Sequence, residues 1–103
     1  MEKIPSYHTL VKDALVCLLT MGGAGSNKQI LEAVMQKLSV DEILREQLNY
    51  NLGWAKVYAK KYGLISKDAK RATWKISKEF QNISPQDVPA TVQQRKRLYY
   101  NNR

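Results

Sequence analysis

Apolar side chains recur at intervals of three and four along the first part of the chain. Between residues 10 and 19 this spacing predicts one buried face of a helix that Ser6 caps and that runs to about Met21. The same spacing recurs between residues 30 and 38 and predicts a second helix that ends near Leu38. Two amphipathic helices in succession predict a helical hydrophobic core.

Short polar segments separate these helices and indicate where they begin. The glycine-rich Gly22–Gly25 predicts a flexible connector, because no Gly-Lys-Ser/Thr follows it as in a phosphate-binding loop. Ser26–Gln29 has the pattern of a capping box that opens the second helix. Ser39–Glu42 has the same pattern and predicts a further short helix over Ile43 and Leu44.

A third main helix is predicted from about Tyr50 to Tyr62, with Gly63 as its left-handed terminator. Its outward positions are polar, and helical spacing also favours core packing for Trp54. One apolar stripe is predicted to face the core: Leu52, Ala55, Ala59 and Tyr62.

The pattern then changes to alternation, which is typical of strands. Leu64–Ser66 and Thr73–Ser77 predict the two strands of a hairpin, with Lys67–Ala72 as the turn between them. Strand alternation places Trp74 in the core. Three helices followed by a hairpin predict a mostly α fold with a small β-hairpin, the winged helix-turn-helix, over residues 1–80.

After Phe80 the chain becomes polar and then basic. Pro89–Tyr100 predicts one more helix, with Arg95, Lys96 and Arg97 clustered on it. Residues 81–103 therefore form a basic tail or linker. Three alternatives stay open for it: docking on the domain, leading into a further domain, or disorder.

The net charge of +8 is distributed unevenly. Residues 1–50 carry five basic and six acidic side chains, whereas residues 51–103 carry twelve basic and three acidic ones. The excess of positive charge therefore coincides with the third helix, the hairpin and the tail. This separation predicts an anionic partner, and ordinary solubilising lysines are the alternative.

Composition argues against several other classes of protein. No apolar run has the length of a membrane span, so no membrane partner is expected. The single cysteine, Cys17, predicts a buried thiol in a reducing compartment, the cytosol. One histidine, His8, and one cysteine cannot supply the usual zinc ligands. Asp68-Ala-Lys70 has the ending of a nuclease motif but lies in a polar turn, so we expect no catalytic residues, metal or cofactor.

The basic residues of the third helix and hairpin suit contact with duplex DNA. A helix fits the major groove, where an asparagine amide can pair with adenine, whereas lysines mainly contact phosphates. Asn49 and Asn51 are predicted at the start of the third helix, where they would either contact bases or cap the helix. The predicted DNA-binding residues are Asn49, Asn51, Lys56, Lys60, Lys61, Lys67, Lys70, Arg71 and Lys75.

Four short segments resemble the N-terminal winged-helix domain of Mrr-type restriction endonucleases: Ile4–Tyr7, Trp54–Ala55, Tyr62–Ile65 and Arg71–Ser77. The resemblance covers about residues 4–80, and the family usually has glycine at position 72. It implies a DNA-recognition module of a restriction system, with cleavage in a separate nuclease domain or subunit reached through the tail. Two alternatives stay open: a protein-interaction adaptor and a stand-alone dimeric transcriptional regulator.

Overall fold

A computed structural model describes residues 4–102; the predicted domain and tail also include residues 1–3 and 103, which lie outside the described part. The chain is mostly helical with a small antiparallel sheet, which confirms the predicted coarse class. Its helices and strands are α1 (Tyr7–Thr20), β1 (Ala24–Ser26), α2 (Asn27–Leu38), α3 (Arg45–Lys61), β2 (Thr73–Lys75) and α4 (Val88–Asn101). Short 3₁₀ turns cover Glu42–Leu44, Lys78–Phe80 and Pro85–Asp87.

The sheet joins two segments that are far apart in sequence. β1 lies antiparallel to β2, with Gly25 opposite Trp74. On the other side of β2, Ile65 forms a single bridge with Ile76. The predicted returning strand is therefore present, whereas Leu64–Ser66 contributes only a bridge. The prediction of a plain connector at Gly22–Gly25 is wrong, because its second half forms β1.

The core lies where α1 packs on α3, with α2 and the sheet beside them. Cys17 is buried there, as predicted, and burial raises the pKa of its thiol. Trp74 is 2% exposed and belongs to the core as predicted, but Trp54 is 44% exposed, so its predicted core position is wrong. The predicted stripe of α3 is buried at Leu52, Ala55, Ala59 and Tyr62.

The start of α3 differs from the prediction. The helix begins at Arg45, five residues before Tyr50, so Asn49 and Asn51 lie inside it and cap nothing. The second capping box is also wrong, because Ser39 ends α2 in a left-handed conformation with φ 52°. Asp41 instead caps the following 3₁₀ turn by accepting a hydrogen bond from the backbone of Ile43.

An ion-pair network surrounds the first residue of α3. The guanidinium group of Arg45 donates from Nη2 to Glu32 Oε1 at 3.1 Å and to Glu42 Oε2 at 3.0 Å. It therefore ties the first residue of α3 to α2 and to the 3₁₀ turn before it. These charge-assisted hydrogen bonds link the three segments at one point.

Other boundaries follow the sequence. Ser26 and Gln29 form the predicted capping box at the start of α2. Gly63 has φ 74° and ends α3, as its position predicted. The predicted last helix is present as α4, whose Val88 and Val92 belong to the same buried cluster as the residues of α1 and α3. None of the helices in residues 4–102 has the length and apolar character that crossing a bilayer requires.

Candidate nucleic-acid interface

α3 presents two exposed sides, one polar and one apolar. Asn49, Gly53, Lys56 and Lys60 follow one another at intervals of four, three and four residues, so they share one face of the helix. Tyr50, Trp54 and Val57 lie next to them and are all exposed. The polar face is the one that meets the first residue of α2.

Lys56 makes that contact. Its Nζ donates a hydrogen bond to Asn27 Oδ1 over 2.9 Å. The two residues line a small hollow of about 160 Å³ together with Asn49, Gly53 and Trp74. This hollow is the point where α3, α2 and β2 meet.

No carboxylate among the described residues neutralises the Lys56 ammonium group. Burial, and then the neighbouring Lys60, lowers the pKa of the Lys56 ammonium group. Within residues 4–102 the ion pairs of Arg45 involve Glu32 and Glu42, and neither Lys56 nor Lys60 has a carboxylate partner. Two adjacent unpaired cations repel each other, and an anionic ligand would relieve that repulsion.

The basic loop of residues 67–72 approaches the same end of α2. The backbone N–H of Asn27 donates to the carbonyl of Ala72 at 2.8 Å. Lys70 and Lys75 line an open hollow of about 650 Å³ together with Ser26, Gln29 and the acidic Asp68. Lys70 and Lys75 therefore lie near the start of α2, where Lys56 also makes its contact.

The remaining predicted residues divide into three groups. Asn51 is turned away, because its amide donates to the carbonyl of Pro5 at 3.2 Å. Lys61 faces Tyr58, with its ammonium nitrogen 5.2 Å from the ring centre, and lines a hollow beside α4. Lys67 and Arg71 are exposed in the basic loop.

The structure adds two residues that sequence reasoning did not select, Asn27 and Gly53. In the sequence, Asn27 is only the second residue of a capping box, and this pattern does not predict its contact with Lys56. Gly53 could have been selected from the sequence, because glycine is unfavourable inside a helix and often has a packing or functional role there.

Among residues 4–102, no three His, Cys, Asp or Glu side chains come together in a way that could hold a metal ion. No family model, curated protein or solved structure matches the chain.

Proposed function

We propose that this protein is a non-catalytic module that binds duplex DNA through a winged helix-turn-helix. The order of its elements supports the proposal: a helix, a strand, two helices, the bridged residue Ile65, a basic loop and a returning strand. In this arrangement α3 is the recognition helix and the loop of residues 67–72 is the wing.

The observation that carries the proposal is the position of three basic side chains around the start of α2. Lys56 on α3 and Lys70 and Lys75 near the wing flank the same end of α2. Basic side chains on two separate elements match a phosphate backbone better than a single small ligand. α3 would enter the major groove, and the wing would contact phosphates or the minor groove.

The resemblance to Mrr-type recognition domains extends this proposal. By that analogy the module serves a restriction system, and cleavage belongs to a separate nuclease domain or subunit. Asn49 and Lys56 then remain candidates for DNA contact, whereas Asn51 and Lys61 fall outside the proposed contact surface because of the neighbours they face.

Binding measured against salt concentration tests the proposal. Each neutralised phosphate contributes about 0.9 to the slope of log affinity against log salt. Lys56→Ala with Lys60→Ala should weaken binding to all duplex sequences alike and reduce the slope by about two. Lys12→Ala with Lys37→Ala removes the same charge from α1 and the far end of α2 and should have little effect. Equal losses in the two double variants, or no salt dependence, would overturn the proposal.

A protein-interaction adaptor is the second candidate, and the exposed apolar side of α3 favours it. Tyr50 is 65% exposed, and Trp54 and Val57 are 44% and 40% exposed. An adaptor needs an exposed apolar patch; α3 carries one, and Leu98 and Tyr100 of α4 are also 44% and 42% exposed. If this patch serves a protein partner, Trp54→Ser with Val57→Ser should leave duplex affinity unchanged. A large loss of duplex affinity in that variant would count against the adaptor.

A further inference from the structure

Gly53 is the glycine that the fold itself does not explain. It is the ninth of 17 residues in α3, where glycine destabilises a helix relative to alanine. A Cβ built at this position would meet nothing within 4 Å, so no neighbouring element requires its absence. The other glycines have either positive φ or a close neighbour: Gly22, Gly23, Gly25 and Gly63.

The bare backbone at Gly53 lies between two hollows. One is the hollow of about 160 Å³ beside Lys56 and Trp74, and the other, of about 290 Å³, is bounded by Tyr50, Trp54 and Val57. Asn49 and Gly53 line both. The two hollows therefore adjoin at Asn49 and Gly53, and together they are called the notch.

Asn49 supplies the polar group of this notch. It lies one helical turn before Gly53, is exposed, and makes no side-chain hydrogen bond with the residues that the structure describes. Its amide both donates and accepts, which matches the N6 and N7 atoms that adenine presents in the major groove. A base edge reaches such an amide only if the helix backbone can come close to the groove floor.

We propose that Gly53 and Asn49 form the specificity-determining notch of this protein and that the notch takes the major-groove edge of an adenine. The inference rests on the proposed function and adds to it the base that is recognised. Gly53 allows the close approach, Asn49 pairs with the base, and the nearby lysines contact phosphates.

Gly53→Ala tests whether the bare backbone allows close approach to DNA, because the change should affect stability and DNA binding in opposite directions. Alanine should raise the melting temperature by about 4 °C. It should also weaken binding to a preferred duplex about tenfold, with an unchanged salt slope because the lysines remain. A raised melting temperature with unchanged affinity would overturn the role of Gly53.

The base is tested with duplexes selected by the wild-type chain from a randomised pool. Replacing the selected adenine by 7-deazaadenine removes the N7 acceptor, and it should weaken wild-type binding about tenfold. It should have no effect on Asn49→Ala, which has already lost the contact. Asn101→Ala at the exposed end of α4 is the matched control and should respond like the wild type.

The outcomes separate this inference from the proposed function. Salt-dependent binding with no selected adenine, or with equal sensitivity of wild type and Asn49→Ala to 7-deazaadenine, would overturn the notch and leave DNA binding intact. Failure of the wild-type chain to bind any duplex would overturn both.

Discussion

The side-chain amide of Asn51 donates a hydrogen bond to the carbonyl oxygen of Pro5, 3.2 Å away and 46 residues earlier in the chain. Gln47 Nε2 donates to the same amide's oxygen at 3.2 Å. Both polar ends of Asn51 are therefore occupied, and α3 is tied to the segment that leads into α1. Asn49, two residues earlier, points roughly 200° away around the helix.

Asn51→Ala should therefore change folding and leave sequence preference intact. Loss of a half-buried hydrogen bond should lower the free energy of unfolding by about 1 kcal/mol. Denaturant unfolding and binding to a panel of duplexes would measure the two effects. A relaxed sequence preference with unchanged stability would show instead that Asn51 contacts a base.

The position of Asn51 illustrates what the sequence could and could not predict. Helical spacing located every main helix, because one buried face imposes a period on apolar residues whatever the rest of the chain does. The start of α3 was missed, and the contact of its first residue Arg45 with Glu32 joins positions 13 residues apart that no local pattern pairs. β1 was missed for a similar reason, since Ala24–Ser26 has no strand propensity and forms a strand only by pairing with β2.

The sequence could predict only the part of the candidate site that lies on α3. Once the helix boundaries are known, spacing alone groups Asn49, Lys56 and Lys60 and separates Asn51 from them. The approach of Lys70 and Lys75 to the start of α2 depends on the pairing of β1 with β2. That pairing joins segments some fifty residues apart, so no local pattern predicts it.

Ala72→Gly should stabilise the protein. Ala72 has φ 61°, a left-handed conformation that is unfavourable for every residue with a Cβ. Glycine removes this strain, and the net gain in the free energy of unfolding should be about 1 kcal/mol, measured by denaturant titration. Ala69→Gly in the same loop is the control and should bring no gain. Equal effects of the two changes would show that position 72 is not strained.

The Arg45 network should make stability sensitive to acid. Hydrogen bonds from Arg45 lower the pKa of both Glu32 and Glu42 in the folded chain. A lowered folded pKa stabilises the fold above the unfolded value, about 4.3, and this contribution is lost as the pH falls through the folded values. Arg45→Gln should therefore be less stable than wild type at pH 7. The difference in the free energy of unfolding should disappear near pH 2.

Denaturant midpoints between pH 2 and pH 7 would measure this effect. Lys37→Gln is the matched control, because it removes one positive charge that has no ion pair within residues 4–102. The difference between its denaturant midpoint and that of wild type should stay constant from pH 2 to pH 7. A constant gap between wild type and Arg45→Gln down to pH 2 would contradict the assignment of the network.

Tyr62→Phe should leave the fold intact and alter its behaviour in alkali. Tyr62 is 3% exposed, and its hydroxyl makes no hydrogen bond with the described residues, although Tyr100 is near enough to affect its ionisation. Burial, and then Tyr100, raises the pKa of this hydroxyl, so the folded state keeps a proton that the unfolded state loses above about pH 10. Wild-type stability should therefore fall as the pH rises through 10, whereas the stability of the phenylalanine variant should fall less steeply.

At pH 7 the variant should be as stable as wild type or slightly more so, because an unpaired buried hydroxyl is removed. Thermal unfolding at pH 7 and pH 10.5 would measure both effects, with the exposed Tyr50→Phe as control; parallel alkaline losses in all three chains would contradict the prediction.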